Sequence, residues 1–361
     1  MTKNKQNIRI WWDRSFAGLL LLIVGFLLLT GNANAMHISE GILPLNWAVF
    51  WFAIAIPFVA FGLYKVKKLS GVDLSFKPLV GLMAAVVFII SCMPIPVPTA
   101  GTCSHPCGTG ISGILLGPGI SILISAVALL IQALFLAHGG LSTWGADIVS
   151  MGVAGSFAGY LTFKGLRALK ANLWIAGFMA GLFANWATYL TTSVELASGI
   201  RGDSPFMPLF WKIFLAFIPT QLPLGILEGA MTAGMIVLLY KKRPDLLVKM
   251  GVVKNQEAIS SQQKIRGNMA VLLLTLLPLL FPAPIFAEES KWGGVDESVV
   301  EKYAEEHGRV ARKPLINTDQ GDLLLFVFLL AGTVGGFIGG YSWRVLMSEK
   351  LTKTNEKEQR L

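Results

Sequence analysis

The sequence predicts an all-α fold, a polytopic helical bundle in a membrane, and three observations carry that prediction. Of 361 residues, 54% are hydrophobic and only 14% are charged. Apolar stretches of about 17–25 residues recur along the chain, each long enough to span a bilayer. The basic residues gather between those stretches, where they set orientation. The net charge of +9 is therefore no sign of nucleic-acid binding. Three cysteines, Cys92, Cys103 and Cys107, are too few for a disulfide scaffold. There is no G-x-x-x-x-G-K-[ST] phosphate loop and no H-E-x-x-H pair, so the chain carries no recognisable machinery for hydrolysing ATP or peptides.

The first apolar run, 15–32, follows Lys3, Lys5, Arg9 and Arg14. It leads into Ala33-Asn34-Ala35, a small-x-small site that predicts a signal peptide at 1–35, cut after Ala35. An uncleaved anchor is the alternative. Apolar segments follow at 47–64, 77–95, 109–137, 145–163, 172–192 and 207–240, then a pair at 269–287 and 322–342. Basic clusters trail three of them: Lys65, Lys67 and Lys68; Lys164, Arg167 and Lys170; and Lys241-Lys242-Arg243. If 109–137 crossed once, the second cluster would face outward. The break Gly117-Pro118-Gly119 predicts instead a short inward leg, 109–117, and a return leg, 119–137. The resulting bundle has about seven segments, with 207–240 as an approach segment plus one crossing. All three basic clusters then lie in the cytoplasm, and the mature N-terminus lies outside. Strict full spans, with basic residues outside, are the competing topology. On the favoured one, His37, His105 and His138 share the outer side, and His307 lies in the outer loop of the last helix pair.

A cut after Ala35 creates chemistry. The Met36 amine, the His37 backbone nitrogen and a His37 ring nitrogen can close two fused chelate rings in one plane. Such a set suits nickel(II) or copper(II), and cobalt where the site enforces the geometry. One planar donor is missing. Residues 94–110 offer a candidate: prolines at 94, 96 and 98 exclude a helix, and Gly101, Thr102 and Gly108 favour a compact re-entrant loop around His105. His105 is either the fourth nitrogen or a hydrogen-bonded residue that steadies the turn. Cys103 and Cys107 flank it, but C-S-H-P-C matches no standard zinc spacing, and whether the two cysteines pair is open.

His138 ends a helix, in Ala137-His138-Gly139-Gly140. It reads as a cap on the last carbonyls, or as a support behind the ligands, rather than as a ligand. Glu40 and Ser104 are further candidate supports; Glu40 either orients His37, attracts the cation or stays solvated. Within the spans the clearest acids are Asp147, Glu195 and Glu228. An ionisable residue there is a functional hypothesis by default, and Glu228, the deepest, is expected to pair with a basic residue of a neighbouring helix. These acids also keep a rival reading alive, a polytopic membrane metalloenzyme.

Three stretches, Met-His-Ile-Ser-Glu-Gly-Ile-Leu-Pro (36–44), Thr-Cys-Ser-His-Pro-Cys-Gly-Thr-Gly (102–110) and Leu-Ala-His-Gly-Gly-Leu-Ser-Thr-Trp-Gly-Ala-Asp (136–147), together resemble the CbiM/NikM family. Its members are the substrate-capturing membrane components of energy-coupling-factor importers for cobalt and nickel. The resemblance covers roughly 36–245. It implies Co2+ or Ni2+ as cargo, held by the amine and amide of Met36-His37 and the rings of His37 and His105. The Ser-His-Pro form looks more like the cobalt branch, although Cys107 stands where threonine is expected. The resemblance also implies a CbiQ-like membrane coupling protein, a CbiO-like cytoplasmic ATPase pair, residence in the cell membrane and a supply of metal to cobalamin synthesis. Gly81, Ala84 and Ala85 could contact the coupling protein or pack within the chain. Residues 269–345, a helix pair around the charged outer loop 288–321, resemble a CbiN-like accessory subunit. It would be fused through a basic linker, 246–268, and followed by a cytoplasmic tail, 346–361.

Overall fold

A computed structural model describes residues 37–70, 76–92, 95–97, 102–136, 138–254, 296–313, 316 and 323–358. The expected signal segment, Met36, Pro98, Gly101, most of the linker and the apolar run 269–287 lie outside the described residues.

Helix α1, Leu45–Ser70, opens just after Pro44, whose carbonyl accepts from the Ala48 N–H. It closes on Lys67 and Lys68. Leu45, Phe50, Ile56 and Phe61 on α1 are exposed, which suits a hydrocarbon solvent. Helix α2, Phe76–Cys92, leads into two short antiparallel strands, β1 (Ile95–Val97) and β2 (Thr102–Ser104). The Pro/Gly loop is therefore a small hairpin, in register Pro96↔Cys103.

The expected break at Gly117-Pro118 is present. Helix α3, Thr109–Leu116, ends on Gly117, and α4, Pro118–Phe135, starts with proline at its head, where no N–H is needed. The next segment runs as α5 (Trp144–Asp147), a π-helical stretch (Ile148–Gly155) and α6 (Ser156–Ala168). Helix α7, Leu173–Ile200, is capped by Asn172 Oδ1, which accepts from Ile175 N at 2.8 Å.

The approach-plus-crossing expectation for 207–240 is corrected: α8 is one helix, Phe206–Lys242, running through Pro219 and Pro223. At 1.5 Å per residue it is about 55 Å long and outreaches the hydrocarbon core. Side chains add further bonds to carbonyls beside the two prolines: Thr220 Oγ1 donates to Phe217 O at 2.9 Å, and Trp186 Nε1 donates to Gln221 O at 3.1 Å. Helices α7 and α8 pair closely because Gly181 and Gly229 let the backbones approach.

Two expected boundaries shift. Helix α9, Pro244–Lys249, and the turn after it dock on the bundle by burying Leu246, Leu247, Val252 and Val253. The start of the expected linker is thus packed structure. After a π-helical stretch, Asp296–Glu301, and α10, Lys302–Glu306, the last helix α11 runs Leu323–Glu358, so residues 346–358 continue it rather than forming a separate tail. Helix α11 lies against α2, where Ser342 sits over Gly81 and Gly339 faces Ala85. The small-residue face of α2 is therefore covered from within the chain. Among the described residues five helices are long and apolar enough to cross a membrane: α1, α4, α7, α8 and the 326–347 part of α11.

Candidate metal centre

Two separate pieces of backbone bring the histidines together. The first is a strap, residues 37–42, laid on the turn between α4 and α5. Ile38 N donates to Asp147 Oδ1 at 3.1 Å, and Thr143 Oγ1 donates to Ile38 O. Ser142 N donates to Glu40 Oε2 at 3.0 Å, and Gly41 N donates to Ser142 Oγ at 3.3 Å. Gly139 has φ +76, and a Cβ there would stand 2.9 Å from His37 Cβ, so only glycine lets strap and turn meet. The Glu40 carboxylate holds the 142 turn, and Asp147 holds the peptide after His37.

The second piece carries His105, between β2 and α3. The N–H groups of Cys107 and Gly108 donate to Glu228 Oε2 and Oε1 at 2.8 and 2.9 Å, and Asn185 Nδ2 reaches Oε2 at 3.3 Å. Glu228 thus sits at the N-terminus of α3, where the helix dipole favours a carboxylate. This corrects its expected pairing with a basic side chain. Gly108 has φ +71, and a Cβ there would stand 3.2 Å from Val87 Cα. The loop therefore dips below the end of α2, as a re-entrant loop should. Ser104 Oγ accepts from Gln221 Nε2 at 3.0 Å. Cys107 is buried, with a free thiol. The backbones of Thr102 and Cys103 lie in β2, but their side chains are outside the described residues.

The three rings touch. His37 and His105 centroids are 5.1 Å apart, His37 and His138 5.6 Å, and His105 and His138 5.3 Å. The rings are 7%, 2% and 4% exposed in the order 37, 105, 138. His138 is corrected as a cap: its backbone N–H bonds Gln132 O at 3.3 Å, while its ring packs into the cluster and Nε2 has no partner among the described residues. His307 stands apart, its Nδ1 on Tyr303 O at 2.8 Å. Burial lowers the His37 pKa to about 4, against a raising hydrogen bond from Gln132. Burial first, and then the charge of His37, lower His105 to about 3. Burial, then His105 and His37, lower His138 well below its ordinary value. All three are therefore neutral near pH 7, as imidazole ligands must be.

Among the described residues no three His, Cys, Asp or Glu side chains converge as ligands. Polar groups not singled out from sequence complete the surroundings: Gln132, Asn185, Gln221 and Ser91. Their signal was an amide or hydroxyl inside an apolar stretch.

A cover lies over the strap. Arg309 Nε donates to Ile42 O at 3.0 Å and Nη2 to Gly41 O at 3.1 Å. Arg312 N donates to Glu40 O at 2.7 Å, and Ser39 Oγ donates to Glu301 Oε1 at 3.1 Å.

The family model for CbiM, the cobalt uptake substrate-specific transmembrane region, matches residues 37–246. The cobalt transport protein CbiM of Geobacter sulfurreducens is 68% identical over 330 residues, 91% of this chain and 95% of that protein. The cobalt transport protein CbiM of Sorangium cellulosum is 57% identical over 219 residues, 61% of this chain and 97% of that protein. The first match runs well past the family region, whereas the second relative is scarcely longer than that region. The crystal structure of a transition metal transporter shares the fold, with a TM-score of 0.50 at 24% identity over 64% of this chain and 100% of that one. The chain belongs to the CbiM family, and is a multi-pass membrane transport component rather than an enzyme.

Proposed function

We propose that this chain captures Co2+ at the outer face of the cell membrane, as the metal-binding component of an energy-coupling-factor importer. The observation that carries the reading is the buried, neutral cluster of His37, His105 and His138, in which His37 sits on a strap that starts one residue after the proposed cut. Cleavage after Ala35 would free the Met36 amine. That amine, the His37 amide, the His37 ring and the His105 ring would hold the cation in a plane. The amide must lose its proton on binding, so capture weakens as pH falls. The Pro/Gly hairpin and the strap would close over the metal. A CbiQ-like coupling protein and CbiO-like ATPases would then drive release inward, feeding cobalamin synthesis.

Residues 296–313 and α11 would belong to a fused CbiN-like part, with the segment 269–287 as its other helix. The docking of Arg309 and Arg312 on the strap supports a role for it in metal insertion. Nickel is the rival cargo, because planar nitrogen donors suit it and the affinity order favours it.

The test is N-terminal sequencing of the membrane-inserted protein, followed by metal analysis and cobalt–nickel competition. The expected result is a Met36 start with bound cobalt. Uptake by a chain that still begins at Met1, or full capture by His105→Ala, would sink the ligand set.

A further inference from the structure

We infer that Gln132 and Ser91 set the tautomer of His37, leaving the proton on Nε2 and the lone pair on Nδ1 before any metal arrives. The inference rests on the proposed Met36-His37 chelate and adds the residues that prepare it. A chelate through the His37 amide nitrogen can close only on Nδ1, the ring nitrogen nearer the backbone. Nε2 points away from it. The two nitrogens of a neutral imidazole have different roles, and the hydrogen bond made by one decides which lone pair the other offers.

The direction of that hydrogen bond follows from its neighbours. Ser91 Oγ donates to Phe88 O at 3.2 Å, which uses its one proton. Its oxygen can then only accept, and it does so from Gln132 Nε2 at 2.7 Å. That contact turns the amide so that Gln132 Oε1 faces His37 Nε2 at 2.9 Å. An amide oxygen cannot donate, so His37 Nε2 carries the proton. Ser91 and Gln132 are both fully buried. Phe88 and Ser91 lie on α2, Gln132 lies near the end of α4, and the chain of bonds ends on the strap. The Cys92 thiol is the other polar neighbour of the Gln132 amide. The same Nε2–H···O bond would raise the basicity of the metal-facing nitrogen once a cation drew charge from the ring.

The arrangement makes Gln132 and Ser91 positioning residues. It is tested on the full-length, metal-free protein labelled with 15N-histidine. With only four histidines, the His37 signals are assigned by their loss in His37→Ala. The expected spectrum near pH 7 shows a protonated Nε2 and a bare Nδ1. Gln132→Leu, of similar size, should abolish that preference and weaken Co2+ binding about 10–100-fold. Gln132→Glu keeps an acceptor toward His37, so it should keep the Nε2-protonated signal and most of the affinity. Ser91→Ala should fall between. A wild-type His37 protonated on Nδ1 overturns the inference, as does Gln132→Leu with unchanged cobalt affinity. If Gln132→Leu fails to fold, the wild-type spectrum and the Gln132→Glu and Ser91→Ala pair decide it. Cobalt binding that survives His37→Ala would sink the capture reading, while the wild-type spectrum would still report the tautomer.

Discussion

The two histidines proposed as ligands are held in opposite ways. His105 sits on backbone that is itself structured, between a hairpin and the first turn of α3, and the anchor below it is one carboxylate gripping two N–H groups. His37 sits on a strap with no regular structure, kept in place by side chains from α4, α5 and residues 296–313. The difference separates a fixed half of the site from a detachable one. A buried charge-assisted anchor is costly to open, whereas single bonds to a strap can be released one by one. For the capture proposed above, the strap is the half whose bonds are cheaper to release.

Breaking the fixed half should have the largest effect. Glu228→Ala orphans two buried N–H groups at about 1–3 kcal/mol each, so stability should fall by about 2–6 kcal/mol. Cobalt binding should be lost with it. Thermal unfolding in detergent and equilibrium metal binding check both; a variant of wild-type stability would show that Glu228 is no anchor.

Acid should act next, on both halves together. A histidine in the unfolded chain takes its proton near pH 6.5, whereas the buried His37 does so only near pH 4. Between those values the unfolded state binds more protons at this histidine, so the His37 contribution to stability falls as pH drops from about 6.5 to about 4 and then levels off. For His37 alone the loss is about 3 kcal/mol. Asp147, whose pKa burial raises to about 8, works in the opposite direction, so the His37 share is read by comparing unfolding midpoints across that range in wild type and His37→Ala; equal pH dependence in the two would contradict neutral burial.

The strap should respond less, and in rates more than in stability. Asp147→Ala removes the acceptor for Ile38 N, with an expected cost of about 1–3 kcal/mol. Cobalt dissociation should speed up accordingly in stopped-flow exchange. Arg309→Ala removes two bonds to strap carbonyls at a partly buried site, for about 1 kcal/mol. It should quicken metal exchange severalfold while leaving the unfolding midpoint nearly unchanged. If Arg309→Ala slows exchange instead, the cover does not hold the strap shut.

The comparison also explains what was legible beforehand. The re-entrant Pro/Gly loop and the Gly117-Pro118 break follow from local chemistry, since proline lacks an N–H and glycine at positive φ has no rival. For His138 the sequence left a ring cap and a support behind the ligands both open, because a histidine at a helix end looks the same whether its ring turns back to the carbonyls or into a cluster. Only the approach of the strap over Gly139 separates the two. Glu228 lay in an apolar stretch that named no partner, and a backbone partner more than 100 residues away leaves no mark in a local pattern. Residues 207–240 read as an approach segment plus one crossing, yet α8 continues through Pro219 and Pro223, because neighbouring groups in the bundle can meet the polar needs of a proline-bearing stretch.

By itself the sequence determined the class of molecule, the order of its apolar segments and the histidines worth watching. Those properties are written in runs and spacings along one chain, where hydrophobic length and missing donors act locally. Tertiary structure decided which side chains meet: Glu228 with the α3 N-terminus, Gln132 with His37, α11 with the small face of α2 and residues 296–313 with the strap. These meetings join segments far apart in sequence. They are selected by the need to satisfy buried polar groups and fill close helix contacts, which only the assembled bundle imposes.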